Sequence, residues 1–205
     1  MRPFIHYSCQ HIDEEDIAAV SATLRSNFLT QGPAITVFES ALCAYTRSTH
    51  AVAVSSATAG LHIAYHALGI TCGSRVWTTP LSFVATANAA RYVGATVDFV
   101  DVQETTGNLC PQALAHKLEN TPADSRPHLV TVVHYSGRAC DMETIYALKA
   151  QYGFALVEDA AHALGACYAN GAPVGSDSRS DAVVFSFHPV KPITTGEGGA
   201  VTTFH

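Results

Sequence analysis

The chain has 205 residues, 48% of them apolar and only 14% charged, against about 25% charged in an average soluble domain. Its 17 acids and 11 bases give a net charge of −6, with no basic block of the kind that tracks nucleic acid or anionic lipid and no apolar run of about 18 residues that would span a membrane. One large domain or two small ones fit this length, the Gly and Pro content excludes a collagen-like or disordered chain, and so little charge points to a large buried interface or a missing partner segment.

Residues 12–24 read as a first helix, with Asp13, Glu14, Glu15 and Asp16 in its opening turn, where carboxylates suit the helix dipole. Residues 27–33 (NFLTQGP) read as a loop and 37–45 as a second helix. The apolar strand 51–55 leads through SATAG into a helix at 61–68. A strand at 75–79 precedes a helix at 83–93, and a strand at 96–100 precedes a helix at 111–119 that opens on Pro111. Residues 128–134 (HLVTVVH) form a strand and 141–152 a helix capped by Gly153. A buried strand at 154–158 follows, then a small hairpin over 166–174 turning at Asn170-Gly171. Strands at 181–187 and 199–203 end the series. Strands of about five residues alternating with helices of about ten predict an α/β fold with a largely parallel sheet. In such folds ligands sit beyond the carboxyl ends of the strands.

Three segments at such ends could carry chemistry. Ser55-Ser56-Ala57-Thr58-Ala59-Gly60 follows a strand and opens a helix; the unpaired first amides of a helix can cradle a phosphate, although an ordinary Ser cap accounts for the same residues. The absence of GxGxxG and GxxxxGK[ST] argues against a dinucleotide site and a P-loop. Glu158 and Asp159 end an apolar strand, with His162 three residues on; a carboxylate buried there needs a cation or several donors. Lys191, one of three lysines, follows a buried strand and precedes a Gly-rich turn, whereas Lys117 and Lys149 read as ordinary solvated lysines near helix ends. A lysine among apolar groups has its charged form disfavoured, and this exposes a nucleophilic amine of the Schiff-base kind. A phosphate cradle, a buried acid and an activated lysine together suit pyridoxal 5'-phosphate (PLP). Phe83, beyond the strand VWTT, is placed to stack on such a ring.

Other features point to no further site. The six cysteines, at 9, 43, 72, 110, 140 and 167, form no CxxC pair and read as reduced, mostly buried thiols of a cytoplasmic protein. The N-terminal MRPFIHYSCQHIDEED is no signal peptide. His62 and His66 stand four apart on a helix without HExxH, so a half-buried helix face is expected and no metal. Histidines 6, 11, 50, 116, 128 and 134 are unremarkable in spacing.

The blocks NFLTQGP, AVAVSSATAGLH, VWTTPLSFVATANAARYVGATVDFVDV, VEDAAHALGA and SFHPVKPITTGEGGA resemble, in order and over almost the whole chain, those of the DegT/DnrJ/EryC1/StrS family of sugar-nucleotide aminotransferases. The resemblance implies the three-layer, mostly parallel α/β large domain of the PLP-dependent transferases of aspartate aminotransferase type I. That domain would take in residues 1–205, with an N-terminal helical segment over about 1–30. It implies Lys191 as the Schiff-base lysine and proton carrier, Asp159 as partner of the pyridine nitrogen, and His162, where many relatives have glutamine, near the ring's phenolic oxygen. Ala57, Thr58 and Ser186 would bind phosphate and Phe83 would stack on the ring.

His188-Pro189-Val190 is similar to the subgroup that makes UDP-4-amino-4,6-dideoxy-N-acetyl-altrosamine, toward pseudaminic acid. Glutamate would then give its amino group to the C4 ketone of a UDP-linked 4-keto-6-deoxy-N-acetyl sugar, and the intact parent would be a homodimer. Some relatives are dehydratases with histidine in place of the lysine; Lys191 speaks against that activity, although His188 is three residues away. Family chains continue into a smaller C-terminal domain, so the ending at Phe204-His205 reads as a truncation, and an inactive remnant is the other alternative. Pro192, which fixes the backbone and removes an N–H beside the lysine, departs mildly from the family pattern.

Overall fold

The computed structural model describes residue 4 and residues 8–205; residues 1–3 and 5–7, including His6 and part of the stretch read against a signal peptide, lie outside the described residues. The elements in chain order are α1 (Glu14–Leu24), α2 (Pro33–Thr46), β1 (His50–Val54), α3 (Ala57–Ala67), β2 (Arg75–Thr78), α4 (Ala85–Tyr92), β3 (Thr96–Phe99), α5 (Pro111–Glu119), β4 (Leu129–Val133), α6 (Met142–Tyr152), β5 (Ala155–Asp159), β6 (Ala182–Ser186) and β7 (Gly199–Thr203). The strands form one sheet in the order β1-β7-β6-β5-β4-β2-β3. Pairing is parallel from β3 to β6, and β7 runs antiparallel to both β6 and β1.

Caps and prolines explain where helices begin. Asp13 accepts the Glu15 and Asp16 amides and Asp16 reaches back to the Asp13 amide, so α1 starts at Glu14 rather than at residue 12. Pro33 takes the first position of α2, four residues before the expected start. Ser56 caps α3 by accepting the Ala59 amide, so that helix includes residues 57–60, which lack the apolar spacing used to find it. Gly153 closes α6 with φ of 77°. The expected hairpin is a single bridge, Cys167 to Pro173, with its turn at Asn170-Gly171; Pro173 has no amide to extend a ladder.

Side chains alternate across the strands, and the two faces build two cores. Leu129, Val157 and Val184 pack with Leu61 and Tyr65 of α3 and Ala89 and Ala90 of α4. Val130, Val132, Leu156, Val183 and Phe185 pack with Leu114 and Leu118 of α5 and Ile145 and Leu148 of α6. The result is three layers with a sheet buried on both sides, as a parallel sheet requires. By contrast, α1 has no buried residue. Ile17, Val20, Leu24, Phe28, Leu29 and Val37 are exposed, in keeping with the charge-poor composition. Among the described residues, no helix is long and apolar enough to cross a membrane.

Candidate functional site

A cavity of about 530 Å³ opens at the carboxyl ends of the parallel strands and brings together Ala57, Thr58, Phe83, Asp159, His162, Ser186 and Lys191. The loops after β2 and β4 border it, at the point where the strand order reverses and a crevice opens.

At one wall stands the start of α3. Ser56 takes the Ala59 amide with its hydroxyl and the Gly60 amide with its carbonyl. The Ala57 and Thr58 amides, one turn too early for an intrahelical acceptor, remain available to an anion. A Cβ on Gly199 would lie 2.6 Å from both the Ala57 nitrogen and the Ser56 carbonyl carbon. Only glycine therefore lets β7 pass beneath this turn, which accounts for part of the Gly-rich segment after the lysine. Ser186 ends β6 beside it and is buried.

Lys191 sits on the excursion between β6 and β7. The base of that loop is closed by Phe187 and Gly198, paired at 2.9 Å, with Thr195 and Thr194 also bonded to the Phe187 carbonyl. Burial lowers the Lys191 pKa, and the negative charge of Asp159 partly opposes the shift. His162 is also lowered, first by burial and then by the Lys191 charge, with Asp159 opposing. The three groups thus share one electrostatic environment. Phe83 is 74% exposed, a cavity-edge ring and not a core aromatic.

The adjacent acids of β5 divide the sheet's two faces between them. Glu158 points to the α6 side, is fully buried, and accepts from His134 at 2.6 Å, Tyr168 at 2.8 Å, Tyr146 at 3.3 Å and Ser180. The Cys140 amide donates to His134 Nδ1 at 3.1 Å, so the proton facing Glu158 sits on Nε2. Four donors complete this carboxylate. Asp159 points to the α3–α4 side, is 5% exposed and, among the described residues, accepts from Thr86 at 2.8 Å and the Ala161 amide at 3.2 Å. It borders the cavity with acceptor capacity to spare. One acid is a finished structural node; the other is open to a donor from outside the chain.

Spacing did not reveal the His134–Glu158 pair, because one partner follows β4 and the other lies on the neighbouring β5, 24 residues apart. The available signal was a histidine closing an otherwise apolar strand. Glu158→Ala strands four buried donors and is expected to cost about 3 kcal/mol, a fall of roughly 6–12 °C in Tm. Thermal unfolding followed by circular dichroism checks it.

Several smaller expectations are corrected. Lys117 is half-buried, paired with Asp98 at 2.6 Å, bonded to the Phe99 carbonyl and set over the Trp77 ring. Lys149 joins Asp181 at 2.8 Å and the Arg179 carbonyl. Lys117 ties α5 to β3 and Lys149 ties α6 to the segment before β6, so neither stands free in solvent. Of the six thiols, all free, only Cys140 is buried. His62 and His66 are exposed, not half-buried, because Leu61, Ala64 and Tyr65 supply the packed face of α3. His162 is half-buried against the cavity. Among the described residues, no group of three or more His, Cys, Asp or Glu could hold a metal.

Comparison with known proteins places the chain in a family. The profile of the DegT/DnrJ/EryC1/StrS aminotransferase family matches residues 10–204. The chain is 45% identical over 199 residues to the UDP-4-amino-4,6-dideoxy-N-acetyl-beta-L-altrosamine transaminase of Campylobacter jejuni strain 81-176, covering 97% of this chain and 51% of that protein. It superposes on Helicobacter pylori PseC, an aminotransferase involved in the biosynthesis of pseudoaminic acid, with TM-score 0.89 and 36% identity, covering 98% of this chain and 52% of the other. The putative sugar aminotransferase Spr1654 of Streptococcus pneumoniae, in its PLP form, gives TM-score 0.87 and 30% identity, covering 98% and 53%. The chain spans about half the length of the relatives it matches.

Proposed function

The chain belongs to the DegT/DnrJ/EryC1/StrS aminotransferase family, and from that premise we propose that it is the cofactor-binding domain of a PLP-dependent sugar-nucleotide aminotransferase. The observation that carries the reading is the incompletely satisfied Asp159 carboxylate sharing one cavity with a lysine whose amine is made easier to deprotonate. The residues present fit PLP: an acid for the ring nitrogen, an amine for the aldehyde, helix amides for the phosphate and an aromatic edge for the ring face.

Bound there, the cofactor supplies an aldehyde for imine formation and a ring that takes up an electron pair. Lys191 Nζ is the amine that would hold the aldehyde and would carry the proton during transfer. Asp159 holds a proton on the ring nitrogen, which lets the ring draw electrons. Ala57 and Thr58 bind the phosphate through backbone and hydroxyl, with Ser186 beside them. Phe83 would stack on the ring, and His162 would face it from the cavity wall. The half-buried position of Lys191 limits the water that would compete for its amine.

The donor is glutamate and the acceptor is the C4 ketone of a UDP-linked 4-keto-6-deoxy-N-acetyl sugar. The Campylobacter relative's name and the His188-Pro189-Val190 string support this substrate class. The working protein is a homodimer, with the exposed apolar residues of α1 and of 28–37 supporting a buried interface. A cytoplasmic setting suits six free thiols. Incubation of the protein with PLP, glutamate and the UDP-4-keto sugar is expected to yield an amino sugar by mass spectrometry. A deoxygenated ketone would mean dehydration instead, and no product with a correctly loaded protein would refute transfer.

A further inference from the structure

The hydroxyl of Thr86 on α4 touches the functional acid from a position the aminotransfer reading does not use. Thr86 is fully buried and lies 2.8 Å from Asp159 Oδ2, while Ser82 Oγ lies 2.6 Å from the same Thr86 oxygen. A hydroxyl has one proton, and an ionised carboxylate only accepts. Thr86 therefore donates to Asp159, and Ser82 donates to Thr86. The Phe83 carbonyl, at 3.2 Å, is the longer alternative acceptor for the Thr86 proton. Tyr65, buried in the core, holds the same residue through its backbone: its OH lies 3.1 Å from the Thr86 carbonyl and 2.7 Å from the Thr131 hydroxyl.

We propose that Thr86 is a positioning residue whose hydroxyl, supported by Ser82, fixes the Asp159 carboxylate in the orientation that meets the ring nitrogen of PLP. The inference rests on the cofactor reading above. Oδ2 is held by Thr86 and Oδ1 by the Ala161 amide, so the carboxylate is gripped at both oxygens and cannot rotate without losing a buried bond. Each oxygen keeps a lone pair for a further donor. Ser82 and Thr86 also flank Phe83 in sequence, so the turn that offers the ring-stacking residue also sets the acid. Chains of hydrogen bonds of this kind polarise one another and make a buried acceptor both stronger and more rigid.

The test compares Thr86→Val, which keeps the shape and removes the hydroxyl, with Thr86→Ser, which restores it. PLP affinity is read by absorbance titration, beside the affinity for 1-deazapyridoxal phosphate, a ligand with carbon in place of the ring nitrogen. Thr86→Val is expected to weaken PLP binding about tenfold, with the deaza ligand unchanged and with Thr86→Ser within about twofold of the unsubstituted chain. Equal weakening of both ligands, or no weakening of PLP, overturns the proposal, since a purely structural role does not distinguish the two rings. If the unsubstituted chain binds neither ligand, the cofactor reading falls and this inference falls with it.

Discussion

Lys191→Arg is expected to abolish covalent capture of PLP and to lower amino transfer by about 10²–10⁴-fold or to background, the range that loss of a positioned proton carrier costs. Arginine keeps a positive charge in the same cavity but stays protonated and forms no stable imine. Loss of chemistry with retained cofactor binding would therefore separate the amine's role from its charge. The sign of the pH dependence follows from the lowered pKa of Lys191. The neutral amine is the reactive form, so capture rises with pH and levels off below the ordinary lysine range. Lys117 and Lys149, tied up in ion pairs outside the cavity, serve as internal controls. Measuring the rate of adduct formation against pH, with the Lys117→Arg and Lys149→Arg variants alongside, checks both points; a rate that rises only through the ordinary lysine range would contradict the assignment.

Asp159→Asn is the second large effect. The amide can still accept from Thr86, but it then turns an N–H₂ toward the ring nitrogen, where a proton must be held. Loss of a bond to a charged partner predicts PLP binding weaker by about tenfold to a hundredfold, and loss of the preorganised charge lowers turnover by about 10²–10³-fold. The substitution leaves Glu158 and its four donors intact, but the new N–H₂ faces the Ala161 amide that the carboxylate accepted, so the melting temperature without cofactor should fall by only a few degrees, for a loss of about 1 kcal/mol. The neighbouring Glu158→Ala behaves in the opposite manner, costing stability first. Two adjacent acids with inverse phenotypes would be the experimental signature of a strand whose side chains alternate between a structural face and a functional one.

That alternation also marks what could be read from the residues alone. Lysine is so rare here that Lys191, between a buried strand and a Gly-rich turn, stood apart at once, and the α/β alternation followed from strand and helix lengths. Which acid served the site was harder to separate by strand ending alone. Phase along the strand assigns Asp159 to one face and Glu158 to the other, but only the register Val133 to Asp159 shows what each face meets. His134, Tyr146, Tyr168 and Ser180 converge from distant positions, and no local spacing announces them. Thr86 looked like any polar residue in an Ala-rich helix, because its importance lies in a contact 73 residues away. The start of α3 was misplaced for a simpler reason: Ala57, Thr58, Ala59 and Gly60 carry no apolar period, and the cap at Ser56 was the true boundary signal.

The central claim is that one buried acid and one easily deprotonated amine hold opposite parts of the same ring. The most direct measurement is to load the protein with PLP, reduce it with borohydride and map the modified peptide by mass spectrometry. The account predicts a single stoichiometric label on Lys191, lost in Lys191→Arg and diminished at limiting cofactor in Asp159→Asn. A label spread over Lys117 and Lys149, or none at saturating cofactor, would contradict it.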